Sequence, residues 1–362
     1  MSVRENAAAA RSGNLQKIIR QLNIDGLLFF DMNNIRYLAG FTGSEGMLIV
    51  CENKALLLVD GRYITQARKQ VKNATIIEFK DKAEIISDTV KKYGLKKIGL
   101  ETTALSFQFY RQLIKKVPAK LFRPLGDELK LLRAIKDENE IRLMKKAAKI
   151  SSAAVSSLVG KIKAGVTERD LALEFEFSVR RAGAEQIAFP TIIAAGENSA
   201  LPHAQPSGKK IKNGDFIVID FGVKYRGYCS DETCTFAFGG LTEKQRNAYQ
   251  AVKEAHDQAI ASVRAGVSAA AIDFRARDIL RKKKLGCYFV HSTGHGVGMD
   301  VHEPPRLAEN SADMLKAGMV ITIEPGVYIP GQWGIRIEDM VLVKNNGCEI
   351  LSKLDKELTV IE

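Results

Sequence analysis

The apolar residues up to Leu125 fall into two alternating kinds of segment. Short, mostly apolar runs predict β-strands at Leu27–Asp31, Met47–Cys51, Ala55–Asp60, Ala74–Phe79 and Lys97–Glu101. Apolar residues at helical spacing predict helices at Leu15–Leu22, Tyr63–Gln70, Ala83–Tyr93 and Phe107–Val117. Such alternation is typical of a small α/β domain.

A change of pattern separates this part from the rest of the chain. The alternation ends near Gly126, and a charged stretch at Lys136–Glu140 begins a long helical pattern that reaches Ile162. We therefore expect two domains, residues 1–128 and 129–362, each long enough to bury its own core.

The second part contains an internal repeat. The segment Ile162–Thr167 recurs as Val263–Ser268, and Ile211–Val223 aligns with Leu315–Val327. Each repeat unit thus consists of two helices followed by strands. Two such units predict an α+β domain with a pseudo-twofold axis, in which two sheets form one curved layer with the helices outside.

The repeat places acidic residues at equivalent positions. Asp220 aligns with Glu324, each at the end of an apolar strand, and a pseudo-twofold axis would bring the two carboxylates face to face. Asp231 and Glu338 follow glycine-containing turns, after which an adjacent strand can return each beside the first acid. Four converging carboxylates would repel one another, and bound metal ions are the simplest source of compensating positive charge.

The histidines add to this pattern. His256 lies within a helical pattern, which predicts a surface position. The other four, His203, His291, His295 and His302, lie in glycine- and proline-rich segments of the repeat domain. Neutral imidazole binds Zn, Mn, Co or Fe and transfers protons near pH 7. These four are therefore candidates for metal binding or proton transfer.

Composition excludes several classes of protein. The 46% hydrophobic content excludes a disordered chain, and no apolar run approaches the roughly 20 residues of a membrane span. The net charge of +12 comes from scattered Lys and Arg without interleaved aromatic residues, which predicts a solvated surface and no nucleic-acid partner. Five cysteines without CxxC spacing predict no disulfide framework and a cytoplasmic location.

Several motifs together carry a family resemblance: Gly196–His203, Asp220–Gly222, Ser230–Thr233, His291–Gly296, Val301–Pro304, Thr322–Tyr328 and Gly334–Asp339. In this order they resemble the pita-bread metallopeptidases and, within that superfamily, the Xaa-Pro peptidases prolidase and aminopeptidase P. The first domain is similar to the creatinase-like N-terminal domain of these enzymes. The resemblance implies a creatinase-like α/β domain followed by a pita-bread α+β domain.

The resemblance also implies a site for two divalent metal ions. Asp220 would bind one ion, His295 and Glu324 the other, and Asp231 and Glu338 would bridge both. Mostly oxygen ligands with one imidazole favour a hard-to-borderline ion, so we expect Mn²⁺ first, with Co²⁺, Zn²⁺ or Fe²⁺ as alternatives.

The implied reaction is hydrolysis of the bond before proline, in a small peptide with proline second from its N-terminus. Glu324 would accept the proton of the attacking water, and His203 and His302 would donate to the tetrahedral intermediate. His291 and Arg336 would hold the polar ends of the substrate. The sequence leaves a dipeptidase and an aminopeptidase of longer peptides equally open.

A creatinase-type amidinohydrolase and a non-catalytic peptide- or protein-binding module are alternatives on the same fold, and the intact ligand set disfavours both. The resemblance implies a homodimer in which residues 1–128 supply much of the interface. One departure is visible. The family usually has Asp-x-Thr-Arg-Thr, whereas this chain has Asp231-Glu-Thr-Cys234-Thr. We interpret Cys234 as a small buried side chain.

Overall fold

The computed structural model describes residues 3–52 and 54–362, with side chains described from Arg11 onward except at positions 12 and 53. The chain forms two compact units, residues 1–133 and 134–362. Among the described residues, none of the helices combines the length and the apolar character that crossing a membrane requires.

The first unit has the predicted alternation of helices and strands. Its helices are α1 (Val3–Leu22), α2 (Met32–Ala39), α3 (Ile64–Gln70), α4 (Lys82–Tyr93) and α5 (Phe107–Leu113). Its strands are β1 (Gly26–Phe29), β2 (Met47–Cys51), β3 (Lys54–Asp60), β4 (Thr75–Phe79), β5 (Ile98–Glu101) and β6 (Phe122–Leu125). They form one mixed sheet in the order β4-β3-β2-β1-β5-β6.

The first unit has an apolar layer on each face of this sheet. Leu27 and Phe29 belong to one core cluster, and Leu28 between them belongs to the other. Successive side chains of a strand point to opposite faces, so a strand covered on both faces is apolar throughout. This explains why these strands appear in the sequence as continuous apolar runs.

The second unit contains helices and several small sheets. Its helices are α6 (Glu138–Val159), α7 (Glu168–Arg181), α8 (Glu243–Ser262) and α9 (Ala269–Lys282). Its strands are β7 (Gln186–Ile187), β8 (Ile192–Ala195), β9 (Asp215–Phe221), β10 (Val223–Tyr225), β11 (Tyr228–Cys229), β12 (Glu232–Phe238), β13 (Gly294–Gly296), β14 (Glu303–Leu307), β15 (Val320–Ile323), β16 (Gly326–Ile329), β17 (Trp333–Arg336), β18 (Asp339–Lys344), β19 (Gly347–Ile350) and β20 (Val360–Ile361). The two largest sheets have the orders β20-β12-β9-β8 and β14-β13-β15-β18-β19.

The internal repeat is also a repeat of structure. Gly165 and Gly266 both adopt φ = +84°, a conformation that only glycine adopts without strain, in the turns before α7 and α9. Thr167 and Ser268 then cap these two helices, each accepting a backbone N–H three residues on. One apolar core lies between α6, α7 and the sheet of β9, and another between α8, α9 and the sheet of β15.

The prediction that His256 lies at the surface is wrong. Its side chain is 1% exposed, on the face of α8 that also buries Val252 and Ala259. Its Nδ1 lies 3.0 Å from Asp257 Oδ1 and its Nε2 lies 3.3 Å from Asp339 Oδ2. Although burial acts in the opposite direction, these two carboxylates raise the pKa of His256 above its ordinary value. Paired acids thus permit an imidazole inside the core.

Candidate metal centre

The first pair of predicted acids lies where β9 ends and β12 begins. The two strands are antiparallel, with Thr233 opposite Asp220. Asp220 is the penultimate residue of β9, and Asp231 directly precedes β12. The chain therefore returns Asp231 to the same end of this sheet as Asp220.

The second repeat unit repeats this arrangement. Glu324 directly follows β15, and Glu338 directly precedes β18. These strands are antiparallel as well, with Ile323 opposite Asp339. Both acids therefore lie at one end of the second sheet.

The two sheets meet at these ends. Thr233 and Glu338 form an antiparallel bridge, in which the backbone N–H of Glu338 donates to the Thr233 carbonyl at 3.0 Å. The Thr233 hydroxyl also donates to Glu338 Oε2 at 2.7 Å. The bridge brings the acids of both repeat units together where the two sheets meet at Thr233 and Glu338, a junction that we call the seam.

His295 on β13 lies among these carboxylates. Its Nε2 is 3.6 Å from Asp231 Oδ2 and 3.4 Å from Glu324 Oε1, while its Nδ1 lies 3.0 Å from the Gly296 carbonyl. Asp231, His295 and Glu338 present ligand atoms within 4.8 Å of one another. The imidazole therefore directs one nitrogen into the acidic cluster and the other to the backbone, as a metal-binding histidine does.

The electrostatics of the cluster fit a bound cation. Burial, and then the charge of Glu338, raises the pKa of Asp231 well above its ordinary value. Burial likewise raises the pKa of Glu324 to about 7 and the pKa of Glu338 well above its usual range. Among the described residues, the buried Oδ1 of Asp220 meets no hydrogen-bond donor. Carboxylates held together at this cost, with one lone pair unsatisfied, are a donor set suited to divalent metal ions.

The buried side chain of Arg336 supplies a positive charge next to these carboxylates. Its Nη2 lies 2.6 Å from Asp220 Oδ2, and its Nη1 donates to the Tyr328 hydroxyl at 2.7 Å and to the Pro202 carbonyl at 3.1 Å. The Tyr328 hydroxyl lies 2.9 Å from His291 Nε2. A hydrogen-bonded chain therefore joins the predicted substrate-binding residues His291 and Arg336 to the predicted ligand Asp220.

The two remaining histidines differ in their surroundings. The His302 ring lies 4.3 Å from the His295 ring, centroid to centroid, and His302 is exposed on its other side. Desolvation of the ring where it packs on its neighbours, and then the charge of His295, lowers the pKa of His302. His203 is exposed, and the carbonyl of the preceding residue, Pro202, accepts a hydrogen bond from Arg336. The structure thus places His302 against a candidate ligand and His203 beside the residue that Arg336 holds.

We predict that His291 stays neutral across the working pH range. Burial, and then the charge of Arg336, lowers the pKa of His291 from 6.5 to about 4. As the pH falls, the histidine is protonated in the unfolded chain at a higher pH than in the folded protein. His291 therefore contributes stability that is lost as the pH falls from 6.5 to about 4. The ring resonances of His291 can be assigned by their loss in His291→Gln. An NMR titration should show no midpoint above pH 5 for these resonances. A midpoint between 5.5 and 7.5 would contradict this environment.

Sequence reasoning missed two threonines of the site. Thr233 bonds to Glu338 as described above, and the Thr235 hydroxyl donates to the Arg336 carbonyl at 2.8 Å. Asp231, Thr233 and Thr235 alternate along the chain and so share one face. That alternation was a signal in the sequence, because buried polar side chains on one face of a strand need polar partners.

The second unit is thus a duplicated α+β domain with a cluster of acidic side chains and one histidine at its seam, a donor set suited to a metal-dependent enzyme. The chain belongs to metallopeptidase family M24, whose model matches residues 142–345. The model of the creatinase/prolidase N-terminal domain matches residues 11–135. These matches confirm the resemblance to the pita-bread enzymes that carry a creatinase-like first domain.

Similar proteins extend over nearly the whole chain. An Xaa-Pro dipeptidase from Pyrococcus horikoshii is 39% identical, over 95% of this chain and 98% of its own. The structure of an Xaa-Pro dipeptidase from Bacillus anthracis superposes with a TM-score of 0.95 at 37% identity, covering 98% of this chain and 100% of that one. An X-Pro aminopeptidase from Thermotoga maritima has a TM-score of 0.88, also at 37% identity, with 95% and 100% covered.

Proposed function

We propose that this protein hydrolyses the peptide bond preceding proline in Xaa-Pro dipeptides, with two divalent metal ions at the seam of its second unit. The observation that carries the proposal is the cluster of Asp231, His295 and Glu338, with ligand atoms within 4.8 Å. Asp220 and Glu324 complete the proposed ligand set. When bound there, divalent cations supply electrophilic activation of the scissile carbonyl and of the attacking water.

Residues of the chain would handle the protons and the developing charge. Glu324 is the proposed proton acceptor, supported by its place between His295 Nε2 and the Thr322 hydroxyl, 3.4 and 3.3 Å from its Oε1. His302 and His203 are the proposed donors to the oxyanion of the tetrahedral intermediate, because donors directed at the developing negative charge stabilise it.

His291 and Arg336 are proposed to hold the polar ends of the substrate. The contacts of Arg336 support an additional role, since the hydrogen bond from its Nη2 orients the Asp220 carboxylate. Arg336 would therefore couple substrate binding to one ligand of the centre.

The chemistry of proline explains why a dedicated enzyme is needed. An Xaa-Pro bond has no N–H, and the ring fixes φ, so the extended-strand recognition that ordinary peptidases use is lost. A site that reads the two termini of a small peptide does not depend on that N–H. The names of the Pyrococcus and Bacillus relatives support dipeptides as substrates, and the name of the Thermotoga structure supports longer ones.

A substrate panel tests the proposal. Metal-free protein supplied with Mn²⁺ should hydrolyse Ala-Pro, and Ala-Ala serves as the control without proline. Ala-Pro-Ala separates a dipeptidase, which leaves it intact, from an aminopeptidase. Cleavage of Ala-Pro-Ala alone would replace the dipeptidase proposal with the aminopeptidase one, and no metal-dependent cleavage of either peptide would overturn both. Parallel assays with Co²⁺, Zn²⁺ and Fe²⁺ rank the metals.

We further predict a homodimer in which residues 1–128 supply much of the interface. This prediction comes from the creatinase-like character of the first unit. Sedimentation velocity should give the mass of a dimer at micromolar concentration, and a chain starting at residue 129 should sediment as a monomer if it folds. A fully active monomer of the whole chain would contradict the prediction.

A cytoplasmic location is proposed from the cysteines. All five lie among the described residues and are free thiols, with Cys51, Cys229 and Cys234 buried. Unpaired thiols persist in a reducing compartment.

A further inference from the structure

A buried cluster of charges lies next to the candidate metal centre, at the start of β12 and β18. The Lys356 ammonium lies 2.5 Å from Glu232 Oε1 and 3.2 Å from Asp339 Oδ1. Lys356, Glu232 and Asp339 are only 6%, 1% and 3% exposed. Although burial acts in the opposite direction, Glu232 raises the pKa of Lys356, so the ammonium stays charged. A cation is thus held between acids of two different strands.

Each acid of this cluster is the chain neighbour of a proposed bridging ligand. Glu232 follows Asp231, and Asp339 follows Glu338. Successive side chains of an extended chain point to opposite faces. Lys356 therefore contacts the pair of strands from the face opposite to the one on which Asp231 and Glu338 converge.

The two acids are fixed on their other sides as well. Glu232 accepts hydrogen bonds from the Ser152 hydroxyl at 2.6 Å and from the Leu354 N–H at 3.0 Å. Asp339 Oδ2 lies 3.3 Å from His256 Nε2. Without Lys356, the Glu232 and Asp339 carboxylates would lose the cation they share. A buried charge that loses its partner is strongly destabilising. Repulsion between the two carboxylates would then favour separation of the first residues of β12 and β18.

The sequence departure at Cys234 lies in the same cluster. Cys234 and Glu232 are two residues apart on β12 and share a face, and Cys234 Sγ lies 3.5 Å from Lys356 Nζ. The resembling motif usually has arginine at this position. In this chain Lys356, a residue of the C-terminal segment, places a positive charge beside that position.

We propose that Lys356 is a positioning residue for the metal centre: it ties Glu232 on β12 to Asp339 on β18 and thereby sets the separation of Asp231 and Glu338. The inference rests on the proposed role of Asp231 and Glu338 as metal ligands. The C-terminal segment, which contains none of the proposed metal ligands, would thereby contribute to metal affinity.

The test compares metal binding in matched variants of the full chain. Lys356→Met removes the charge and keeps a side chain of similar length. Lys353→Met is the matched control, because Lys353 is an exposed lysine of the same segment. Leu351→Ala is the stability control, because Leu351 is buried and uncharged. Each metal-free protein is titrated with Mn²⁺ by calorimetry and with Co²⁺ by visible absorption, and thermal unfolding is recorded without metal.

We expect Lys356→Met to weaken metal binding by roughly 10- to 100-fold, the usual effect of losing a group that supports metal ligands. High Mn²⁺ should restore its activity. Lys353→Met should bind as the wild type does, and Leu351→Ala should unfold at lower temperature with unchanged metal affinity. Wild-type affinity in Lys356→Met, or an equal loss of affinity in Leu351→Ala, would overturn the inference.

A second variant covers the case in which Lys356→Met does not fold. Lys356→Met/Glu232→Gln replaces the ion pair with neutral side chains of similar size, a change that proteins commonly tolerate. We expect the same loss of affinity, and wild-type affinity in the double variant would overturn the inference. The wild-type titration tests the metal centre separately: if the wild type binds no metal, the proposed function fails together with the inference.

Discussion

Glu338→Ala is expected to lose peptidase activity and bound metal together while the protein remains folded. Glu338 contributes to the cluster of Asp231 and His295 at the seam of the two sheets. As a proposed bridging ligand, it would contribute to both metal positions, so its loss should empty the centre. Asp231→Ala should give the same result.

The folded state should survive because this carboxylate is unfavourable in the metal-free protein. Burial, and then the charges of Glu324 and Asp220, raises the pKa of Glu338 well above its ordinary value. Removing the group relieves that repulsion. We therefore expect the metal-free variant to remain folded, with the relief of this repulsion offsetting part of the cost of the lost Thr233 hydrogen bond. Only the wild type should gain stability when Mn²⁺ is added, since only a folded state that binds metal is stabilised by it.

Elemental analysis, calorimetry and the Ala-Pro assay check this prediction. Glu338→Gln is the variant of matched size, and Glu309→Ala, at an exposed acid of the same unit, is the control that should keep full activity. Near wild-type turnover with two metals per chain in Glu338→Ala would remove Glu338 from the ligand set.

His302→Ala is expected to lower the rate by roughly 10²- to 10⁴-fold with unchanged metal content, the usual range for losing an acid–base group. His295→Ala should instead lose metal from one of the two positions. The two histidines are neighbours in space, with ring centroids 4.3 Å apart, so the two variants are matched controls for each other.

The geometry separates the two roles. His295 Nε2 lies within 3.6 Å of the carboxylates of Asp231 and Glu324. Its strand can lie this close to β15 because Gly294 has no side chain; a Cβ there would be 2.0 Å from the Thr322 carbonyl oxygen. The His302 ring contacts the His295 ring, and His302 directly precedes Glu303, the first residue of β14. It is proposed to face the substrate.

Elemental analysis of both purified variants decides this prediction. Full metal occupancy in His295→Ala, or metal loss confined to His302→Ala, would reverse the two assignments. A His302→Ala variant with wild-type kcat would remove His302 from the proposed proton donors.

Local patterns predicted most of the secondary structure but missed elements without a strong period. The strands β2 and β5 and the long helix α6 appear close to their predicted bounds. Helix α2 was not predicted, because it is short and begins Met-Asn-Asn. Its stability depends on its ends, where the Asp31 side chain accepts from the Asn34 N–H and Gly40 adopts φ = +75°. The short strand β6 was missed because it pairs at the sheet edge around Pro124.

Sequence by itself determined the duplication of the second unit and the acids and histidines worth examining, because a repeat and its motifs are properties of chain order. Tertiary structure alone decided how these groups are paired. Three examples depend on residues that are far apart in sequence. They are the hydrogen bond of Arg336 to Asp220, the burial of His256 and the position of Lys356 between two strands. Periodicity reports which face of an element is apolar. Which charged groups meet across a seam depends on how the sheets dock and on the need to pair every buried charge.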